Sequence, residues 1–430
     1  MRRSRAVGPI AVALAIWAVL IVIGHLWVRH LNSTGLELLV NAPPVAGRFD
    51  FTAPGIRIVL PLVVIGLVIA LGPAAARRLG WTRLLLCVAA AGFAWAVSLA
   101  LLDPDTGLTG PPLRESEYLH DLPLVGSPGT FLSGFVDRID IYATHVRGHP
   151  PGFILGLWVL DEIGLGGALT AAFVMIAGGA LAAPAALIAL REVAGESRAR
   201  SAAPFMVLLP AAIWIATSAD ALFAGAAAWG VALVVLATGR DGRRSDLLAL
   251  GGGLLLGATL TLSYGLILIG TIPLAVAFAR RRWRPILLAA AAGLLWLSLF
   301  AAAGFWWTAG LLATRETYYD GVAAIRPYET FVVTNLSALA IVLGPAVVAG
   351  LACLRDRRAW LLVGGSIAAV MLADLSGMSK AEVERIWLPF VPWIALATCA
   401  LPTAVAATRL WLAAAASFTL AFELAVLTSW

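Results

Sequence analysis

The eleven residues from Tyr142 to Gly152, YATHVRGHPPG, gather two histidines, an arginine and two prolines in a chain otherwise dominated by alanine, leucine and valine. His145 and His149 are four apart, with Arg147 between them. That spacing can hold zinc, but a metalloprotease needs a glutamate directly after the first histidine, and Val146 stands there. Pro150 and Pro151 stop any helix before them, and Pro151 suits the first position of a helix that follows. A helix start favours anions, and an arginine fork matches phosphate. The stretch therefore reads either as a rim that holds a phosphate or as a cap against lipid headgroups.

Four other clusters could do chemistry. In LLDPDTGL, Asp103 and Asp105 suit a general base or a cation ligand, and equally a solvated turn. In LRESEYLHDLP, Glu117 and Asp121 would share one helical face beside Tyr118 and His120, or simply form a wet surface helix. TRETYYDGVAAIRPYETF carries Tyr318, Tyr319 and Arg326, a set that stacks on a sugar ring or holds a phosphate, and that also suits an interfacial aromatic belt. MSKAEVERIWLPFVPW places Glu384 and Arg385 beside an apolar run, where a charge is costly unless paired or used. Asp220, in ATSADALF, either caps a helix or lines the same cavity.

These residues need a scaffold, and the composition dictates its kind. Of 430 residues, 61% are hydrophobic and 13% charged, more apolar surface than a water-soluble fold can hide. Thirteen apolar runs, from 7–29 to 410–429, predict an all-α transmembrane bundle of about thirteen spans. With the N-terminus inside, twenty of the 30 basic residues fall on the cytoplasmic side, the asymmetry that orients a multi-pass protein of the plasma membrane. The polar clusters then gather outside, in segments 30–56, 103–150, 304–332 and 375–386. Residues 151–165 are apolar but short, and predict a re-entrant or partly inserted helix. The three cysteines sit in apolar runs without metal spacing and read as small buried hydrophobes. No Walker sequence, catalytic-triad order or nucleic-acid signature is present, so nucleotide chemistry and nucleic-acid partners are not expected.

A long acidic loop closed by His149-Pro150-Pro151-Gly152, the later Ser218-Ala219-Asp220, the RPYETF segment from Arg326 and the EVERIWLPFVPW segment from Glu382 together resemble the GT-C superfamily of membrane glycosyltransferases. They look most like an actinobacterial group that includes the methylthioxylose transferase of lipoarabinomannan capping. The resemblance covers the chain from about residue 84, so 1–83 reads as an N-terminal two-span addition and 84–430 as the catalytic module. It implies a sugar donor on polyprenyl phosphate, typically decaprenyl phosphate, and a cell-envelope glycan acceptor. Transfer would run on the outer face, with inversion. The family's base matches Asp105 or Asp103 best, with Glu117 and Asp121 as rivals. Its donor-phosphate arginine matches Arg385, with His145, Arg147, His149 and Arg326 as further donor contacts. Tyr118, Asp220, Tyr318, Tyr319 and Glu384 would line the substrate. A divalent cation, Mg or Mn, is a candidate helper, with no ligand set assigned. One departure is that Asp103-Pro104-Asp105 stands where the family has an acidic pair. The rival readings are a transporter or flippase, a polymerase or ligase of lipid-linked glycans, and a non-catalytic scaffold.

Overall fold

In lipid, an apolar run can satisfy its backbone only within itself, which makes it a helix. A computed structural model describes residues 4–51, 53–103, 107–216 and 218–428. Among them, ten helices are long and apolar enough to cross a membrane, from Gly8–Ser33 to Val405–Ala425. The chain is an all-α polytopic bundle, as its composition dictates. Two more of the expected runs fall on Gly242–Leu260 and on the shorter apolar helix Tyr264–Arg280.

The run at 201–219 does not form one helix. Glu196–Ala202 stops before Pro204, and only the short Ala212–Ile215 helix follows Pro210. This irregular backbone is buried inside the protein, the setting in which non-helical chain is tolerated at membrane depth. The Val383–Ala400 span is likewise assembled from short helical turns around Pro389 and Pro392. Gly152–Glu162 is an 11-residue helix, about 16 Å long at 1.5 Å per residue, too short to cross the bilayer. Pro151 caps this helix rather than opening it.

The centre of the bundle is Ala168–Ala194 packed on Ala219–Thr238, both mostly buried. Their backbones approach so closely that a Cβ on Gly225 would collide with the Gly178 carbonyl. Small residues at a contact are the usual route to tight helix packing in lipid. The first span lies at the periphery against Tyr328–Cys353, where Trp17 Nε1 donates to the Ala340 carbonyl and Ser337 Oγ to that of Leu20. Cys87 is exposed on its helix and only Cys399 is buried, so the expectation of three buried cysteines holds for one. Helical geometry alone rotates Cys87 to the outer face.

The two ends of the bundle differ in chemistry. At one end, arginines pair with the few local acids: Glu192 with Arg240 and Arg280, Asp246 with Arg284, Asp356 with Arg198. Arg200 there donates to the Ala76 and Leu79 carbonyls. At the other end lie the polar loops, and the segment 34–51 runs through them. It finishes as a strand, Gly47–Phe49, antiparallel to Val426–Thr428 at the far end of the chain. Leu38 and Val40 pack with Val28, Phe331 and Ala381 in a small apolar cluster of their own.

Candidate active site

Arg385 is the hub of the polar end. It follows Ala381 and Glu382, two consecutive non-glycine residues with positive φ, 71° and 61°. Such backbone is costly and persists only where the surroundings over-determine it. The anchors are visible. Asn335, on the Tyr328–Cys353 helix, accepts from the Ala381 N–H and donates to the Ser379 carbonyl and to Asp374 Oδ1. Tyr318 accepts from the Lys380 N–H, and Tyr319 donates to the Gly377 carbonyl. Arg326 donates to the Leu38 and Lys380 carbonyls.

Held this way, the buried Arg385 guanidinium donates to Asp220 Oδ2 at 2.7 Å, to His145 Nε2 at 2.8 Å and to Glu382 Oε2 at 3.2 Å. Asp220 is presented at the start of its helix, where Ser218 Oγ accepts from the Asp220 N–H. A guanidinium can only donate, so His145 accepts at Nε2 and carries its proton at Nδ1. Nδ1 is 2.7 Å from Glu117 Oε1 and donates to it. The result is a continuous buried row, Asp220–Arg385–His145–Glu117, drawn from four separate parts of the chain. Burial alone would raise the Glu117 pKa, but His145, Arg385 and Arg114 outweigh it and hold the carboxyl below its ordinary value.

His149 sits one helical turn from His145 and donates from Nδ1 to the His145 carbonyl. Its ring lies against Tyr118 and Phe223. Burial lowers its pKa to about 4, although Asp220 pulls the other way. It is therefore neutral at pH 7 and brings no positive charge to a phosphate, because the apolar packing removes the hydration a charge needs. The Tyr118 hydroxyl is buried without a hydrogen-bond partner, its ring stacked beside His145. Burial, Asp220 and Glu117 push the Tyr118 pKa well up, so it stays a proton donor.

Several expected site residues are committed elsewhere. Asp121 accepts from the Ala143 N–H at 2.5 Å and pairs with His120 at 3.3 Å. It pins the start of the His145 turn and makes no bond to the Arg385 row. Burial raises its pKa, against the pull of the Ala143 N–H and His120. Glu384 is fully buried and accepts from the Ala46 N–H at 2.7 Å, with its second oxygen unpartnered. Arg326, Tyr318 and Tyr319 serve the 375–386 loop as described. Arg147 offers its carbonyl to Thr314 Oγ1, while its partly exposed side chain has no bond or ion pair among the described residues. Asp103 lies in the wall of a cavity of about 620 Å³. Asp105 lies outside the described residues.

Arg114 was missed from sequence, and Glu382, visible in the same charged loop as Arg385, was given no site role. Glu382 bridges Arg385 at 3.2 Å and Arg326 at 3.8 Å, and its position three before Arg385 was the available signal. Arg114 feels both Glu117 and Asp103, and nothing local marks it. No group of three or more His, Cys, Asp or Glu side chains converges among the described residues. The described carboxylates of the row pair with arginine and histidine.

No family model matches the chain, and no curated protein matches it. Among solved structures, it is similar to the crystal structure of ArnT from Cupriavidus metallidurans in the apo state, at 16% identity and a TM-score of 0.47. The match covers 74% of this chain, which spans 59% of the ArnT chain. The chain is a polytopic helical membrane protein with a buried charged row at one end.

Proposed function

We propose that this chain is a membrane glycosyltransferase. It moves a sugar from a polyprenyl-phosphate donor to a hydroxyl of a cell-envelope glycan, on the outer face of the plasma membrane and with inversion. The observation that carries this reading is the row Asp220–Arg385–His145–Glu117, which joins all the segments that resemble the GT-C superfamily except RPYETF, itself tied to the same loop through Arg326. A scaffold has no use for so many buried charges, each costing free energy unless paired.

The chemistry follows from where charge develops. The acceptor oxygen forms a bond to the anomeric carbon, and the bond from that carbon to the phosphate oxygen breaks. The phosphate leaves with the electron pair, and the acceptor proton passes to a carboxylate. Arg385 donates to Asp220, Glu382 and His145, and in this reading it acts as a fixed positive centre behind the site. Arg147, uncommitted beside it in the His145–His149 turn, is the cation that meets the phosphate as its charge grows. Asp103 or Asp105, the positions that match the family's base best, takes that proton in this reading, with Glu117 and Asp121 as rivals.

The test is transfer by purified protein from polyprenyl-phosphate pentoses and hexoses to envelope glycan fragments, followed by mass. Loss of transfer in Asp103→Asn or Asp105→Asn with folding retained supports the reading; no transfer from any donor by folded protein overturns it. The broken, buried segments at 201–219 and 383–400 favour one second reading, a transporter of lipid-linked glycans. Translocation without bond exchange in proteoliposomes would establish that instead.

A further inference from the structure

The arginine-rich end of the bundle holds more cations than its local acids can meet. Glu192 is committed to Arg240 and Arg280, Glu196 to Arg191 and Arg200, Asp241 to Arg282, Asp246 to Arg284 and Asp356 to Arg198. Asp356 also accepts from the Arg358 and Ala359 N–H groups. Arg281, Arg357 and Arg358 are exposed, and their side chains bond to no described residue. The three belong to one seam. The helix Thr271–Arg280 packs against Arg357–Leu375, where Thr271 Oγ1 donates to the Gly365 carbonyl at 2.7 Å and a Cβ on Gly365 would collide with the Ile272 backbone. From that contact the first helix runs about 12 Å to Arg280 and the second about 12 Å back to Arg357, at 1.5 Å per residue. The two ends therefore finish level, and three like charges stand there with no acid left to pair them. The surface around them is aromatic: Phe278, Trp283 and Trp360 are exposed, with Phe278 edge-on to Trp283. Exposed tryptophans beside arginines mark headgroup depth. The hairpin of the second and third spans also carries unbonded arginines, Arg77, Arg78 and Arg83, but its aromatic, Trp81, is already covered by Arg191 and Arg200.

We propose that this seam binds an anionic phospholipid from the leaflet at the arginine-rich end. Arg281, Arg357 and Arg358 meet its phosphate from two different spans, with guanidinium forks suited to that group. An acyl chain runs along the exposed Leu274 and Phe278. A zwitterionic headgroup brings its own cation and adds no net charge, so net negative charge is what the seam selects. The lipid thereby ties together two helix ends that otherwise repel. One of those helices, Arg357–Leu375, leads at its other end into the 375–386 loop that presents Arg385. The site is separate from the glycosyl-transfer reading and stands or falls without it.

The full chain in neutral detergent is titrated with phosphatidylglycerol or phosphatidylcholine, and bound lipid is counted by native mass spectrometry. Retention of phosphatidylglycerol in preference to phosphatidylcholine is expected. Arg281→Gln, Arg357→Gln and Arg358→Gln should each weaken it about fivefold, the factor for ~1 kcal/mol per arginine at a charged membrane surface. The three together should weaken it on the order of a hundredfold. Without added lipid these variants should melt like the parent, because the side chains hold nothing; if the triple variant does not fold, Arg281→Gln alone carries the test. Combined Arg77→Gln, Arg78→Gln and Arg83→Gln removes the same charge from the same end and should leave retention near that of the parent. Equal retention of phosphatidylcholine, retention of neither lipid, or indifference to Arg281→Gln and to the first triple variant overturns the proposal. An equal loss in both triple variants also overturns it, leaving only diffuse attraction of lipid to a positive surface. Displacement of the lipid by inorganic phosphate would make the seam a site for a soluble anion instead.

Discussion

Arg385 and Asp220 are 165 positions apart and meet at 2.7 Å, both almost wholly buried. Breaking a buried pair by removing one partner leaves the other charge uncompensated, at a cost of about 3–5 kcal/mol. Asp220→Ala should therefore destabilise the protein by that order in detergent melts. Pairing it with Arg385→Met should recover part of the loss, since the guanidinium is then not left without Asp220, and Glu382 keeps Arg326 at 3.8 Å. If the two effects simply add, the pair is not coupled as described.

The segment 34–51 supplies the Leu38 carbonyl to Arg326 and the Ala46 N–H to Glu384. Glu384→Ala leaves the Ala46 N–H buried and unpaired, which costs about 1–3 kcal/mol. Glu384→Gln keeps an acceptor and removes a buried charge, and should stay within about 1 kcal/mol of the parent. Deleting residues 1–51 should abolish stable insertion, read as loss of a monodisperse peak in gel filtration. Survival of that deletion would show that the first span, at least, is separable, as the resemblance implies for the whole of 1–83.

Stability should fall on acidification below neutrality. His149 has its pKa lowered by burial to about 4 in the folded state, against about 6.5 unfolded. Its contribution is fully present above the unfolded value and is lost as pH falls through the window between them. At about 1.4 kcal/mol per unit the loss is at most ~3 kcal/mol. Glu117, also lowered, adds a loss below its ordinary carboxylate range. Melting temperatures of the parent and His149→Phe, measured across this range, should diverge at neutral pH and converge towards pH 4. Parallel curves would contradict the buried neutral imidazole.

Gly152 ends the histidine–proline stretch and donates its N–H to the Thr261 carbonyl at 2.8 Å. A Cβ there would run into that same carbonyl oxygen. Gly152→Ala should cost about 1–3 kcal/mol as overpacking, with circular dichroism unchanged at low temperature. A neutral effect would mean the short helix can move away from Thr261 freely.

Arg147→Ala should leave the melting temperature unchanged, because the side chain holds nothing among the described residues. If transfer occurs as proposed, the same variant should lower its rate by about 10²-fold or more, the scale for losing a preorganised charge donor. An unchanged rate would move the phosphate contact to another cation, with exposed Arg315, stacked over Tyr319, next in line.

The sequence by itself determined the class of architecture, because length, hydropathy and arginine spacing are additive along a chain and membrane insertion reads them locally. It also pointed to the four polar residues that the structure joins in the Arg385 row, since a charge beside an apolar run is conspicuous wherever it sits. Only the tertiary structure decided their partners. Glu117 and Asp121 look equivalent on one helical turn, yet one holds His145 and the other an amide at Ala143. Glu384 and Arg385 are adjacent, yet the first serves the N-terminal segment and the second the central row. The apolar run at 201–219 reads as a span like its neighbours, and burial inside the bundle allows its prolines to break it. Each of these outcomes depends on residues tens to hundreds of positions away, and a buried hydrogen bond is decided by whichever donor the packing brings within 3 Å, which no local pattern encodes.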